Sequence, residues 1–221
     1  MSADGKIGDS SRTAARFGSD QDKAHLEEQI AQADGVLFGA STLRAYGTTL
    51  RVRQPELLQQ RCQQEKAPQP VHIVCSRSAA IDPHLPFFRQ PVPRWLLTTT
   101  AGARQWHAGE AFEQILIAET QTETIDWDTA FQTFSTMGLT RFSVLGGGTL
   151  VASLFEANLV DELWLTVCPL ILGGDRAPTA VDGTGFLADL APQLQLLEAR
   201  SLNDEVFLHY RVKRGGAGRQ D

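Results

Sequence analysis

Phe142-Ser143-Val144-Leu145-Gly146-Gly147-Gly148-Thr149-Leu150-Val151-Ala152-Ser153-Leu154 sets a short apolar run, three glycines and a helical pattern in immediate succession. Phe142 to Leu145 predicts a strand, and the glycines turn the chain. Leu150, Leu154 and Ala157 share one face of a short helix, and Leu163 to Cys168 returns as a strand. Strand, glycine turn, helix, strand is the order of a parallel βαβ unit. Upstream, Ser19 and Asp22 stand at capping-box spacing, and Leu26, Ile30 and Ala33 recur as one helical face that Gly35 ends. Val36-Leu37-Phe38 predicts a buried strand, and Gly39-Ala40-Ser41-Thr42 lets the backbone leave it and cap a new turn.

Further out, Val71 to Cys75, Trp95 to Thr98 and Ile115 to Ala118 predict strands, the first two separated by a proline-rich segment with Pro83, Pro86, Pro91 and Pro93. Asp126 caps a helix carrying Trp127, Ala130, Phe131, Phe134 and Met137, with Gly138 as its terminator. Gln193 to Leu202 and Glu205 to Val212 flank the turn pair Asn203-Asp204 and predict an antiparallel hairpin. The expected architecture is α/β: a mixed, mostly parallel sheet flanked by helices and closed by that hairpin. Ligands of such sheets sit beyond the carboxyl ends of the strands.

With 221 residues, 42% hydrophobic and 21% charged, the chain is expected to fold as a single domain over residues 1–213. Residues 214–221, RGGAGRQD, have nothing to bury and read as a disordered tail. The 26 acidic against 20 basic residues give a net charge of -6, which argues against a nucleic-acid partner and requires a local cluster for any anionic ligand. Neither a secretion signal nor a membrane span is legible. Cys62, Cys75 and Cys168 form an odd set without a CxxC pair, consistent with a reducing, cytoplasmic location. The five histidines lack metal-ligand spacing and no GxSxG elbow occurs, so metal chemistry and nucleophilic hydrolysis have no support.

Three features carry candidate chemistry. Gly146-Gly147-Gly148-Thr149 brings backbone N–H groups and a helix N-terminus to one place, which suits a phosphate or pyrophosphate, although tight packing alone accounts for the same glycines. The GxGxxG spacing and the P-loop lysine are both missing, which sets those readings aside. Ser76-Arg77 follows a strand, where a hydroxyl and a guanidinium suit a 2′-phosphate; a solvent-facing arginine is the plain alternative. Arg44, Arg51, Arg53 and Arg61 read as a basic group able to seat a phosphorylated substrate, or as exposed loop arginines.

At Met1-Ser2-Ala3-Asp4-Gly5-Lys6-Ile7, at Val36 to Thr42, and at Gly146 to Thr149 followed by Leu159-Val160-Asp161-Glu162-Leu163, the chain resembles the RibD C-terminal domain family. These are reductase domains of riboflavin biosynthesis with a three-layer, dihydrofolate reductase-like fold. The resemblance implies NADPH as cofactor and hydride transfer to C1′ of a 5-amino-6-(5-phosphoribosylamino)pyrimidine, turning its ribosyl group into ribityl. By the family's pattern Thr42, Gly146, Gly147, Gly148, Thr149 and Leu150 contact the dinucleotide, and Ser76 and Arg77 fall where the 2′-phosphate is held. Asp4 and Lys6 match the S-x-D-G-K/R motif of the reacting centre, with Lys6 as proton donor or charge stabiliser. Leu50 and Arg53 match an L-T-V-R segment whose arginine reaches the substrate phosphate. A homodimer is implied as well.

The departures concern substrate rather than cofactor. Leu145 replaces a substrate-recognising glutamate, Ile30 an arginine, and Tyr46-Gly47-Thr48 an Asp-Asp-Pro. These favour, as the alternative, a reductase of the same fold acting on another pterin-like or carbonyl substrate. A second alternative is a non-catalytic nucleotide-binding module. In relatives a strand precedes the S-x-D-G-K motif, whereas here Met1 stands at the motif, so a start further upstream is expected.

Overall fold

The computed structural model describes residues 1–14 and 16–214. These form two compact units, Ser19–Val151 and a second built from Met1–Gly18 with the chain from Ala152 onward. The predicted tail, apart from Arg214, lies outside the described residues.

Within Ser19–Val151 the elements are α1 (Asp20–Gln32), β1 (Gly35–Gly39), α2 (Ala40–Tyr46), α3 (Pro55–Gln63), β2 (Val71–Cys75), β3 (Arg94–Thr98), α4 (Thr100–Ala103), β4 (Gln114–Ile117), α5 (Trp127–Thr136) and β5 (Phe142–Val144). The strands form a five-stranded sheet in the order β4-β3-β2-β1-β5, parallel at every pairing. All five residues of β1 are buried, as a strand covered on both faces must be. Val36 and Phe38 join a core cluster with Ile30, Leu43, Leu57, Val74, Phe87 and Leu96. By strand alternation the intervening Leu37 and Ile73 face the opposite layer. Gly35 is required by packing: a Cβ there would stand 2.6 Å from the ring of Phe142 on the neighbouring strand.

Local chemistry explains the helix ends. Ser19 Oγ accepts from Asp22 N at 3.1 Å, and Asp126 accepts from Thr129 N at 3.0 Å, the two predicted N-caps. The first helix differs in its details. It ends at Ala33, where the chain becomes extended, and Gly35 opens β1 rather than closing the helix. Its buried face is Glu27, Ile30 and Ala31, while Leu26 is 38% exposed. Helix α3 carried no expectation; Pro55 at its first turn is the signal that was there to read.

The second unit contains β6 (Glu162–Val167), β7 (Gln193–Leu202) and β8 (Glu205–Lys213), an antiparallel sheet in the order β6-β8-β7. The hairpin turns at Asn203, whose φ is 53°, as predicted. The parallel βαβ expectation is corrected here. Helix α6 (Gly148–Glu156) does connect β5 to β6, but the two strands lie in different sheets: β5 pairs with β1, and β6 pairs antiparallel with β8. Along its other side β6 and the residue after it meet the chain start, with the Met1 amino group on Thr166 O at 2.5 Å and Cys168 N on Met1 O at 2.7 Å. Periodicity marks a strand, but its ladder partner is set by distant segments that compete for the same backbone groups.

Candidate active site

From β1 the sheet grows in one direction through β2, β3 and β4, and the chain then crosses to the other side of β1 for β5. The carboxyl ends of β1 and β5 are therefore the topological switch point, where loops diverge and leave a crevice. β1 ends on Gly39, and β5 is followed by Leu145 and the three glycines. Leu145 N donates to Leu37 O at 2.9 Å and Gly39 N to Gly146 O at 2.9 Å, prolonging the pairing into the turn. The Gly146–Gly147 peptide is cis. A Cβ on Gly147 would lie 3.2 Å from Thr42 Oγ1 and 3.7 Å from Ser41 Oγ, so the turn is pressed against the start of α2. Gly148 is buried and Thr149 exposed at the first turn of α6, whose leading N–H groups precede any intrahelical carbonyl. Leu150 is buried, so its side chain packs and only its backbone is placed to meet a ligand.

One strand over, Ser76 and Arg77 follow the carboxyl end of β2. Ser76 N donates to Leu97 O at 3.0 Å, and its hydroxyl accepts from Ala79 N at 3.0 Å. The Arg77 carbonyl accepts from Thr98 Oγ1 at 3.2 Å and Thr99 Oγ1 at 2.9 Å, while Trp106 Nε1 donates to Ala79 O at 2.8 Å. The backbone is thus held from below, and the Arg77 side chain is exposed. Thr42, Gly146 to Leu150, Ser76 and Arg77 accordingly gather at the carboxyl ends of three adjacent strands.

Leu50 packs against the core cluster and Arg53 is exposed, on a segment fixed by three side chains that sequence reading passed over. Gln90 accepts from Thr49 N at 2.8 Å and donates to Thr49 O at 2.9 Å. Gln69 does the same for Val52, at 3.0 and 2.7 Å. Each amide offers one acceptor and one donor, as a neighbouring strand would. The Glu27 carboxylate, 8% exposed, accepts from Arg53 N at 2.5 Å and Gln54 N at 2.7 Å. An acidic residue beside Ile30 on a helical face was the one available hint.

The four-arginine group is not one patch, because Arg61 belongs to the core. It is 2% exposed and donates to the carbonyls of Ala31, Ala33 and Ala67 at 2.7 to 2.8 Å. Arg44 is tied to Ala80 O at 3.1 Å. Ile30 is fully buried, so its side chain serves packing. Leu145 adds apolar surface to the same cluster as Leu50.

In the unit holding the chain start, the Asp4 carboxylate accepts from Ser2 Oγ at 2.6 Å, Leu172 N at 3.1 Å and Gly173 N at 2.7 Å. The Ser2 hydroxyl first, then the two amides, bring its pKa down to about 2, so Asp4 is ionised near neutrality and organises the 170–174 loop. Lys6 N donates to Ser2 Oγ at 2.9 Å, and Lys6 Nζ reaches Ala177 O at 3.2 Å, leaving further ammonium protons to donate. Among the described residues no cluster of three His, Cys, Asp or Glu is placed to hold a metal. None of their helices is long and apolar enough to cross a membrane.

Fold and site together define an α/β protein with a glycine turn at the switch point of a parallel sheet. The chain matches the RibD C-terminal domain family over residues 1–208 and belongs to that family. It is 30% identical over 84% of its length to the 2,5-diamino-6-ribosylamino-4(3H)-pyrimidinone 5′-phosphate reductase of Archaeoglobus fulgidus, covering 84% of that protein. The reductase of the same description from Methanothermobacter thermautotrophicus is 26% identical, with 96% of this chain and 95% of that one covered. The riboflavin biosynthesis protein RibD of Escherichia coli is 29% identical over 94% of this chain, which spans 57% of that longer protein. In fold, a pyrimidine reductase-like protein from Corynebacterium diphtheriae superposes with a TM-score of 0.75, covering 97% of this chain and 90% of that one at 22% identity.

Proposed function

We propose that this chain is an NADPH-dependent reductase of riboflavin biosynthesis that converts the ribosyl group of a 5-amino-6-(5-phosphoribosylamino)pyrimidine into a ribityl chain. The observation that carries the reading is the glycine turn at the switch point, where the lack of a Cβ at Gly147 lets the turn lie against Thr42 and Ser41, an arrangement whose backbone N–H groups would suit a diphosphate. The names of the relatives support the substrate class. Gly146, Gly147, Gly148 and Thr149 would hold the diphosphate through backbone N–H groups, Thr42 would contact the nucleotide, and Ser76 with Arg77 would take the 2′-phosphate. When bound, NADPH supplies a hydride from nicotinamide C4 to C1′ of the ribosyl group.

The chain's own residues bind and orient the substrate and manage one proton. Arg53 would pair with the sugar phosphate on its clamped segment. Lys6 would hold a proton for the ribose ring oxygen as the C1′–O4′ bond opens, and Asp4 would fix the loop beside it. We read residues 1–213 as one cytoplasmic reductase domain working as a homodimer; the exposed Leu196 and Val206 of the hairpin support the subunit contact.

Mixing the pure protein with NADPH and the phosphoribosylamino-pyrimidine, while following loss of the reduced nicotinamide absorbance and formation of the ribityl product, tests this directly. Steady turnover is expected. Cofactor binding without turnover would replace the proposal with a nucleotide-binding module. Leu145 favours one second reading: its apolar side chain stands next to the glycine turn and packs into the core cluster, which would suit a pterin-like or carbonyl substrate that offers no donor there. Turnover of such a compound, with the pyrimidine inert, would establish it.

A further inference from the structure

We propose that Arg51 is a second phosphate ligand, so that residues 49–54 form a rigid two-guanidinium seat for the phosphate of a ribosyl phosphate. This rests on the substrate class proposed above and extends it to Arg51, which stands where the L-T-V-R segment has threonine. The Nε of Arg51 is buried and finds no acceptor among the described residues. A surface arginine keeps that nitrogen hydrated, and a buried donor with no partner is costly until an acceptor arrives.

Between Thr49 and Gln54, Thr49 and Val52 are buried, whereas Arg51 is half-buried and Arg53 exposed, so two arginines flank the core residue Val52. Neither guanidinium is in an ion pair with a carboxylate among the described residues. Glu27 Oε1 accepts from Arg53 N and Gln54 N, binding the backbone of the segment. Gln69 and Gln90 lock the backbone between them, so the two forks are presented with little left to order on binding. A phosphate monoester carries nearly two negative charges at neutral pH and three acceptor oxygens, which matches two guanidinium forks better than one. In a chain of net charge -6 such a dianion needs a local cluster of this kind.

The test is calorimetric titration of the full chain with ribose 5-phosphate and with ribose, for wild type, R51Q, R51K and R53Q, with NADPH binding measured in parallel. Wild type should prefer ribose 5-phosphate by at least about tenfold. R51Q should lose about tenfold of that affinity, leave ribose and NADPH binding unchanged, and be partly rescued in R51K, which keeps the charge without the fork. If R53Q loses the preference while R51Q binds like wild type, Arg51 is no ligand and the phosphorylated substrate stands. If wild type does not distinguish ribose 5-phosphate from ribose, the seat and the substrate class fall together. Should R51Q not fold, R51K decides, because parity with wild type there overturns the proposal.

Discussion

Replacing Gly147 by alanine asks whether the glycine turn is a ligand shelf or only a packing device. The added Cβ would lie 3.2 Å from Thr42 Oγ1, tighter than ordinary contact, and 3.7 Å from Ser41 Oγ, which is ordinary. Gly147 is outside the left-handed region, so the backbone itself tolerates alanine. The stability cost is one overpacked contact, about 1 kcal/mol, or roughly 2–4 °C in Tm for a chain of this size. Thr42→Ala removes the crowded oxygen, so the double variant should regain most of that stability. Cofactor affinity should behave differently. On the proposed reading the added methyl disturbs the turn and Thr42, the groups that would meet the diphosphate, so a loss of about tenfold or more is expected in both the single and the double variant. Gly146→Ala serves as the contrast. It has open space around it but a φ of 93°, so its cost of about 1–2 kcal/mol comes from the backbone and Thr42→Ala should not relieve it. Thermal melting and fluorescence titration with NADPH read the two quantities separately. If Gly147→Ala melts and binds like the parent, the close approach and the shelf are both refuted; if Thr42→Ala fails to restore stability, the contact assigned to Thr42 is wrong.

Arg61→Met should destabilise the protein by about 3–5 kcal/mol in urea unfolding, because three buried carbonyls lose a charged donor at once; a change below about 1 kcal/mol would contradict its role as the tie between α1, α3 and the turn into β1. His72, buried with Nδ1 on Thr49 Oγ1 at 3.1 Å, is held neutral down to about 3 by burial first and by the charge of Arg61 second. Between its ordinary 6.5 and 3 the unfolded chain binds a proton that the folded chain refuses. Its contribution is therefore complete above pH 6.5 and is lost as the pH falls, with a slope approaching about 1.4 kcal/mol per pH unit. His72→Asn, which keeps an acceptor for Thr49, should flatten that acid limb in urea melts from pH 7 to pH 4, and an unchanged slope would refute the assignment. Arg77→Ala should weaken NADPH about tenfold or more and leave NADH nearly untouched; equal losses for both cofactors would return Arg77 to a general surface role.

The strands and caps were legible because their signals are local. Val71 to Cys75 was read with its exact bounds, and the hairpin around Asn203-Asp204 to within one residue, from alternation and turn chemistry. The glycine turn was legible as a turn, and the structure adds that it stands at a switch point, which depends on β5 pairing beside β1. The clamps on residues 49–54 were not legible. Glu27, Gln69 and Gln90 are 17 to 41 residues from the backbone they hold, and no local pattern encodes a side chain that replaces a strand. Arg61 was misplaced for a related reason, since composition gives an arginine to the surface unless carbonyls converge on it.

By itself, then, the order of residues determined the element types, the helix caps, the hairpin turn and the family, because each of these is written in spacing that a chain of neighbours can satisfy. Tertiary structure alone decided that β5 and β6 part into separate sheets, that Arg61 lies in the core, and that Arg51 and Arg53 stand on a segment braced by Glu27, Gln69 and Gln90. Those outcomes depend on which distant backbone donors and acceptors find each other once water is excluded, and that competition is resolved only when the whole chain has packed.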